Sequence, residues 1–183
     1  MKLSEQEATK YRRMWDVPAY RKMSPGERLV EQAVRELGAV PGDSFIDFGC
    51  GTGRPAQKLI SMGYSTSGVD HADNCLDPGV SIPFSVECLW DLPKDMRSDF
   101  GFCTDVMEHI PTEKVHDVLS EIRRVCQKGA FFQIATFLDG MGRHIGERLH
   151  LTVRGPAWWR EQLSEHWETV SVSGQRNVVA VVK

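Results

Sequence analysis

The chain reads as an α/β protein. It should hold a doubly wound, mostly parallel, seven-stranded sheet with helices on both faces, an antiparallel edge strand and trimmed crossover helices. Three observations carry this. Strand-like apolar runs alternate with amphipathic helical runs along the 183 residues, the pattern of a parallel sheet covered on both sides. The first such run ends in the glycine-rich turn Asp47-Phe48-Gly49-Cys50-Gly51-Thr52-Gly53, which opens into a helix. A second run ends in an acid, Asp70, about 20 residues later, where doubly wound sheets place the carboxylate that holds ribose hydroxyls.

Taken in order, residues 4–14 predict a short helix, which Pro18 interrupts before residues 20–23 lead to Ser24-Pro25. Ser24, Pro25 and Glu27 make a helix start: a capping hydroxyl, proline at the first position and a carboxylate at the third. Leu29, Val30, Ala33, Val34 and Leu37 keep helical spacing, and Gly38 stops the run. The first strand follows the Pro41-Gly42 turn, and the helix after the glycines runs through Ile60. Residues 64–69 predict the second strand, ending in Asp70-His71. Residues 84–93 predict the third, running into a loop at Asp91, and residues 99–111 the fourth with its exit loop. Residues 73–82 and 94–98 are too short for full crossover helices. Residues 111–126 form the clearest amphipathic helix, with Val115, Val118, Leu119, Ile122 and Val125 as its stripe and Lys128-Gly129 at its end. A fifth strand (129–136), a long loop (137–155) and a helix bearing Trp158 and Trp159 (156–166) follow. Two strands, 169–173 and 177–182, finish the chain as an antiparallel edge.

Composition sets limits. The length suits one domain, residues 1–183, with 1–23 as an N-terminal extension or lid and 24–183 as the core. A net charge of −3 gives no global field favouring nucleic acid or an acidic membrane. No apolar run approaches the roughly 18 residues of a membrane span, and the N-terminus lacks a secretory apolar region. The expected compartment is the cytoplasm. Five cysteines show no C-x-x-C pairing; Cys50, Cys88, Cys103 and Cys126 read as reduced core residues. No metal site is expected.

The glycine turn has a chemical reading. Glycines admit positive φ and let a flat ligand lie on the backbone, while the following helix start offers unpaired N–H groups and a positive dipole end. A nucleotide-like ligand with an anionic end fits there. The dinucleotide form G-x-G-x-x-G fails, because Arg54 occupies its sixth position. The pattern D-x-G-x-G-x-G instead resembles the first motif of the class I S-adenosylmethionine-dependent methyltransferases. The chain matches that family's further segments in order, with motifs spanning residues 47–111.

The resemblance implies a Rossmann-like fold and S-adenosyl-L-methionine as cofactor. Asp47, Gly49, Cys50, Gly51 and Gly53 would form the cofactor cradle, and Asp70 with His71 would meet the ribose. Asp91 would accept from the adenine amino group, with the Leu92 N–H facing a ring nitrogen and Trp90 either flanking the ring or in the core. Asp105 and Met107 would lie beside the methionine moiety. Tyr11, Trp15 and Tyr20 would either shape a lid or simply dock on the sheet.

Methyl transfer is an in-line displacement whose reactive group belongs to the cofactor, so the protein mainly aligns and dries the site. A general base is needed only where the acceptor keeps its proton. His109, His144 and His150 are the candidate bases; each has a plain structural alternative as a loop histidine. Arg143, Arg148 and Arg154 form either a rim for a phosphate or carboxylate or a solvated charged loop. The fourth strand lacks the Pro-Pro-Tyr/Phe and Pro-Cys exits of DNA-base methyltransferases. The expected acceptor is therefore a small molecule or an accessible O or N group. The alternatives are a non-catalytic cofactor-binding or complex-forming module, or an RNA or modified-nucleotide enzyme.

Overall fold

The strands are β1 (Ser44–Phe48), β2 (Ser65–Asp70), β3 (Phe84–Val86), β4 (Ser98–Thr104), β5 (Cys126–Ala135), β6 (Val170–Ser173) and β7 (Asn177–Val182). In this computed structural model, which describes residues 2–183, they form one sheet in the order β3-β2-β1-β4-β5-β7-β6. The first five pair in parallel. β7 lies antiparallel between β5 and β6. Chain order reverses between β1 and β4, and ligands in such sheets bind at that switch point, beyond the carboxyl ends of the strands.

The helices are α1 (Leu3–Trp15), α2 (Pro18–Arg21), α3 (Val30–Leu37), α4 (Arg54–Ser61), α5 (Val115–Val125) and α6 (Pro156–Ser164). Alternation along β1 and β5 sends neighbouring residues to opposite faces. Phe45 and Phe131 pack with Val30, Ala33, Leu37 and Leu59 of α3 and α4. Ile46 and Phe132 pack with Val118, Leu119 and Ile122 of α5 and Trp159 of α6. No full helix joins β2 to β3 or β3 to β4, as the short connections predict. Among the described residues, no helix is long and apolar enough to cross a membrane.

Three boundaries differ from the sequence reading. The Ser24 side chain caps nothing; its hydroxyl accepts from the Thr52 hydroxyl at 3.0 Å, and Pro25–Leu29 is a tighter 3-10 turn before α3. β3 stops at Val86, because residues 88–91 close a turn in which the Asp91 N–H donates to the Cys88 carbonyl at 2.9 Å. β5 begins at Cys126, directly after α5, so Lys128 lies in a strand and does not end a helix.

Lys128 gains a tie there, with Nζ 2.6 Å from Asp43 and 3.0 Å from Asp99. Asp99 also accepts from the Ser44 N–H and hydroxyl at 2.9 and 2.8 Å. Led by the Ser44 backbone N–H, these bonds hold its carboxyl down at about 2, from an ordinary 3.8. A depressed native pKa contributes stability above the ordinary value that is lost as pH falls toward the native one. Asp99→Asn should therefore flatten the fall of melting temperature between about pH 4 and pH 2. Thermal unfolding across that range checks it, and parallel curves for the two proteins would refute it.

Candidate active site

The β1–α4 connection is built on glycines that need positive φ. Gly49 has φ 69° and Gly51 φ 48°, a region that costs other residues a Cβ clash. The Gly49 and Cys50 N–H groups both donate to the Val69 carbonyl, at 2.7 and 3.0 Å, so the turn is strapped to β2. A Cβ on Gly49 would strike Val106, and one on Gly51 would sit 2.9 Å from the Trp15 ring. Gly53 is left-handed at the N-cap of α4; it shapes the turn without facing the cavity.

Two buried acids stand under this loop. Asp70 Oδ2 accepts the Gly51 N–H at 3.0 Å and Oδ1 the Ala72 N–H at 2.9 Å. Burial still raises its carboxyl above the usual range. Asp47 has one oxygen, Oδ2, with no partner. Burial, then the nearby Asp70 charge, pushes its pKa up to about 8.

Above the loop lies a cavity of about 440 Å³, within the range of small-molecule sites. Tyr11, Trp15 and Tyr20 roof it. The N-terminal segment is tied down on both sides. The Tyr11 hydroxyl lies 2.7 Å from His109 Nδ1, and Arg13 donates to the Ile145 carbonyl at 2.7 Å. Arg21 donates to the carbonyls of Asn74, Cys75 and Leu76. Trp15 and Tyr20 meet edge to face at 4.8 Å. Burial drives the Tyr11 hydroxyl pKa well up and the His109 pKa down to about 3, so His109 is neutral.

The exit of β4 supplies the opposite wall. Asp105 is the one described non-glycine residue with positive φ, at 55°, which a short polar side chain tolerates. Gln133 Nε2 lies 2.8 Å from both of its oxygens, and burial raises it to about 6. Glu108 is fully buried. Its Oε1 accepts the Ala135 N–H at 3.1 Å, while Oε2 has no partner. Burial first, then Asp105, raises its carboxyl well above the usual range. His150 Nδ1 lies 2.6 Å from the Phe137 carbonyl, and its ring meets His109 edge to face at 4.7 Å.

The structure thus gathers Asp47, Gly49, Cys50, Gly51, Asp70, His71, Asp105, His109 and His150 on one cavity. Asp91, Leu92, Met107 and His144 do not line it. Because β3 is short, the 88–91 turn presents Leu89 and Trp90 to the cavity, leaving Asp91 exposed and Leu92 in the core. Met107 is fully buried in the core under α5, and His144 is exposed on its loop. Of the two readings of the loop arginines, the structure favours the charged loop over a rim on this cavity. Arg148 turns to the His150 carbonyl, Arg154 lies over Trp158, and neither they nor Arg143 line the cavity. Glu108 and Gln133 were not singled out from sequence. A lone carboxylate between Met107 and Ile110 was the available signal for the first, and a lone amide inside the apolar fifth strand for the second.

Comparison with known proteins agrees with this geometry. Residues 46–134 match the family model described as a methyltransferase domain. The ubiquinone biosynthesis O-methyltransferase of Hahella chejuensis is 24% identical over 129 residues, 64% of this chain; the match spans 53%, about half, of that relative. Among solved structures, the DhpI–SAH complex aligns with a TM-score of 0.73 at 18% identity, covering 99% of this chain and 96% of that one. Magnesium protoporphyrin IX methyltransferase from Synechocystis PCC 6803, with bound SAH, aligns with a TM-score of 0.65 at 20% identity, covering 98% and 95%. At these identities the structural likeness speaks to the fold, and the domain match covers residues 46–134. The domain match and the shared fold liken the chain to the class I S-adenosylmethionine-dependent methyltransferases, whose cofactor is S-adenosyl-L-methionine.

Proposed function

We propose that this chain methylates a compact small molecule on an O or N atom, inside the roofed cavity over the glycine loop. That cavity carries the reading: its floor is bare backbone, its walls hold two acids that each keep one partnerless oxygen, and its roof is aromatic. The residues fit the cofactor. The partnerless Asp47 Oδ2 calls for a donor or a positive charge, which an ammonium or sulfonium provides. Each Asp70 oxygen, spending one lone pair on a backbone N–H, keeps another for a hydroxyl donor. Leu89, Trp90 and His71 offer flat or apolar surface for a purine.

The cofactor supplies the activated methyl group; everything else falls to the chain. Tyr11, Trp15 and Tyr20 close the cavity and exclude water. His109 is too weakly basic to take an acceptor proton near pH 7, so its part is to accept the Tyr11 hydroxyl and hold the roof shut. The relatives named for ubiquinone biosynthesis and magnesium protoporphyrin IX support a small-molecule acceptor.

Calorimetry with S-adenosylhomocysteine, followed by transfer of labelled methyl from S-adenosylmethionine into a metabolite mixture, tests this. Binding without any labelled product would refute turnover. Asp70→Ala should weaken S-adenosylhomocysteine binding by about 1–3 kcal/mol, and an unchanged dissociation constant would remove Asp70 from the site.

A further inference from the structure

The cavity wall is acidic, the reverse of what an anionic acceptor needs. Six acidic side chains line it, Glu7, Asp47, Asp70, Asp105, Glu108 and Asp139, against one guanidinium, Arg28; Glu7 is already paired with Lys10. Asp47 and Asp70 sit at the ends of β1 and β2 beside the glycine loop. Asp105 and Glu108 leave the end of β4, and Asp139 follows β5, so the cavity gathers acids from the ends of four strands.

Glu108 is the informative member. It is fully buried and lines the cavity, and its Oε2 has no partner. An orphaned buried carboxylate oxygen is costly unless an occupant brings a donor or a charge. Tyr20 lines the same cavity as Asp70, Asp105, Glu108 and Asp139. Tyr11 and Phe137 line the same cavity, and aromatic faces with carboxylates suit an ammonium. A metal ion suits it less. Atoms of Glu108, His109 and His150 lie within 4.8 Å of one another, but the His109 ring is already held by the Tyr11 hydroxyl and the Leu149 carbonyl.

We propose that the space between Glu108, Asp105, Tyr11 and Tyr20 binds an organic ammonium, which makes the methyl acceptor a compact amine. This rests on the methyltransferase reading above. In the reaction, the ammonium releases one proton to Glu108 or water. Its nitrogen lone pair then forms the new N–C bond as the C–S bond breaks, with that electron pair staying on sulfur. The products are a methylammonium, the neutral thioether and one proton.

The test uses cations that cannot accept a methyl group, so binding is read apart from turnover. Choline and tetramethylammonium are titrated into protein saturated with S-adenosylhomocysteine, beside 3,3-dimethylbutan-1-ol, the uncharged carbon analogue of choline. At least one cation should bind about ten-fold or more tighter than the alcohol. Glu108→Gln, which keeps an oxygen for the Ala135 N–H, should erase most of that preference and leave S-adenosylhomocysteine affinity within about two-fold. Equal affinities, no cation binding by protein that holds S-adenosylhomocysteine, or a preference untouched in Glu108→Gln would overturn the proposal. Saturable Co²⁺ binding that Glu108→Gln abolishes would give the site to a metal and overturn it too. Failure to bind S-adenosylhomocysteine would instead sink the methyltransferase reading, and this inference with it.

Discussion

Gly51→Val is expected to abolish detectable S-adenosylhomocysteine binding, a loss of at least about a hundred-fold in affinity. Two costs coincide at this position. The native φ of 48° is left-handed, worth about 1–2 kcal/mol against a residue with a Cβ and more for a β-branched one. The new Cβ would also lie 2.9 Å from two atoms of the Trp15 ring, so either Trp15 and α1 move out or the loop moves down. Overpacking of this kind costs about 1–3 kcal/mol. Either movement changes the cavity and strains the Gly51 N–H bond to Asp70. Gly51→Ala pays the backbone term with a smaller clash and should fall between. Calorimetry with thermal melts on both variants decides it; a valine protein with native affinity would mean that the cofactor does not rest on this loop.

A chain beginning at Ser24 is the second large effect. It lacks the ring over Gly51, the hydroxyl on His109 and the guanidinium that gathers three carbonyls of the 74–76 segment. Ala72 and Cys75, both fully buried under Trp15, become exposed. The two main core clusters contain no residue of α1 or α2, so the truncated protein should still melt cooperatively. Its affinity for S-adenosylhomocysteine should fall about ten- to a hundred-fold, and turnover should fall further because water enters the site. Undiminished affinity and turnover would reduce the N-terminal segment to plain docking against the sheet.

The sheet was legible because its signals are local. The apolar strand runs, the strand-to-glycine turn and the apolar stripe of α5 depend on neighbours only. Boundaries were misread where a distant partner intervened. Thr52 occupies the Ser24 hydroxyl, and the Asp43 and Asp99 carboxylates reward an extended Lys128. The floor of the cavity was likewise readable, since Asp47, Gly49, Gly51 and Asp70 lie within one strand–turn–helix–strand stretch. Asp91 and Leu92 went astray for a local reason of another kind: a tight turn at 88–91 has no glycine, asparagine or proline to announce it. Glu108 was hidden because its meaning is relational. Only the fold shows that one oxygen is paired to Ala135 while the other, buried in the cavity wall, has nothing to accept from.

The tie between Tyr11 and His109 has a bearing on biogenesis. The first helix leaves the ribosome long before its counterparts exist, for His109 follows Tyr11 by 98 positions and Ile145 follows Arg13 by 132. Its amphipathic stretch must wait, undocked, until the parallel strands have been translated and paired, a slow class of assembly that leaves surface exposed meanwhile. Synthesis order and completion order are thus inverted: α1 is made before the residues that fasten it, and a nascent chain stalled before residue 109 has no finished chamber to bind anything.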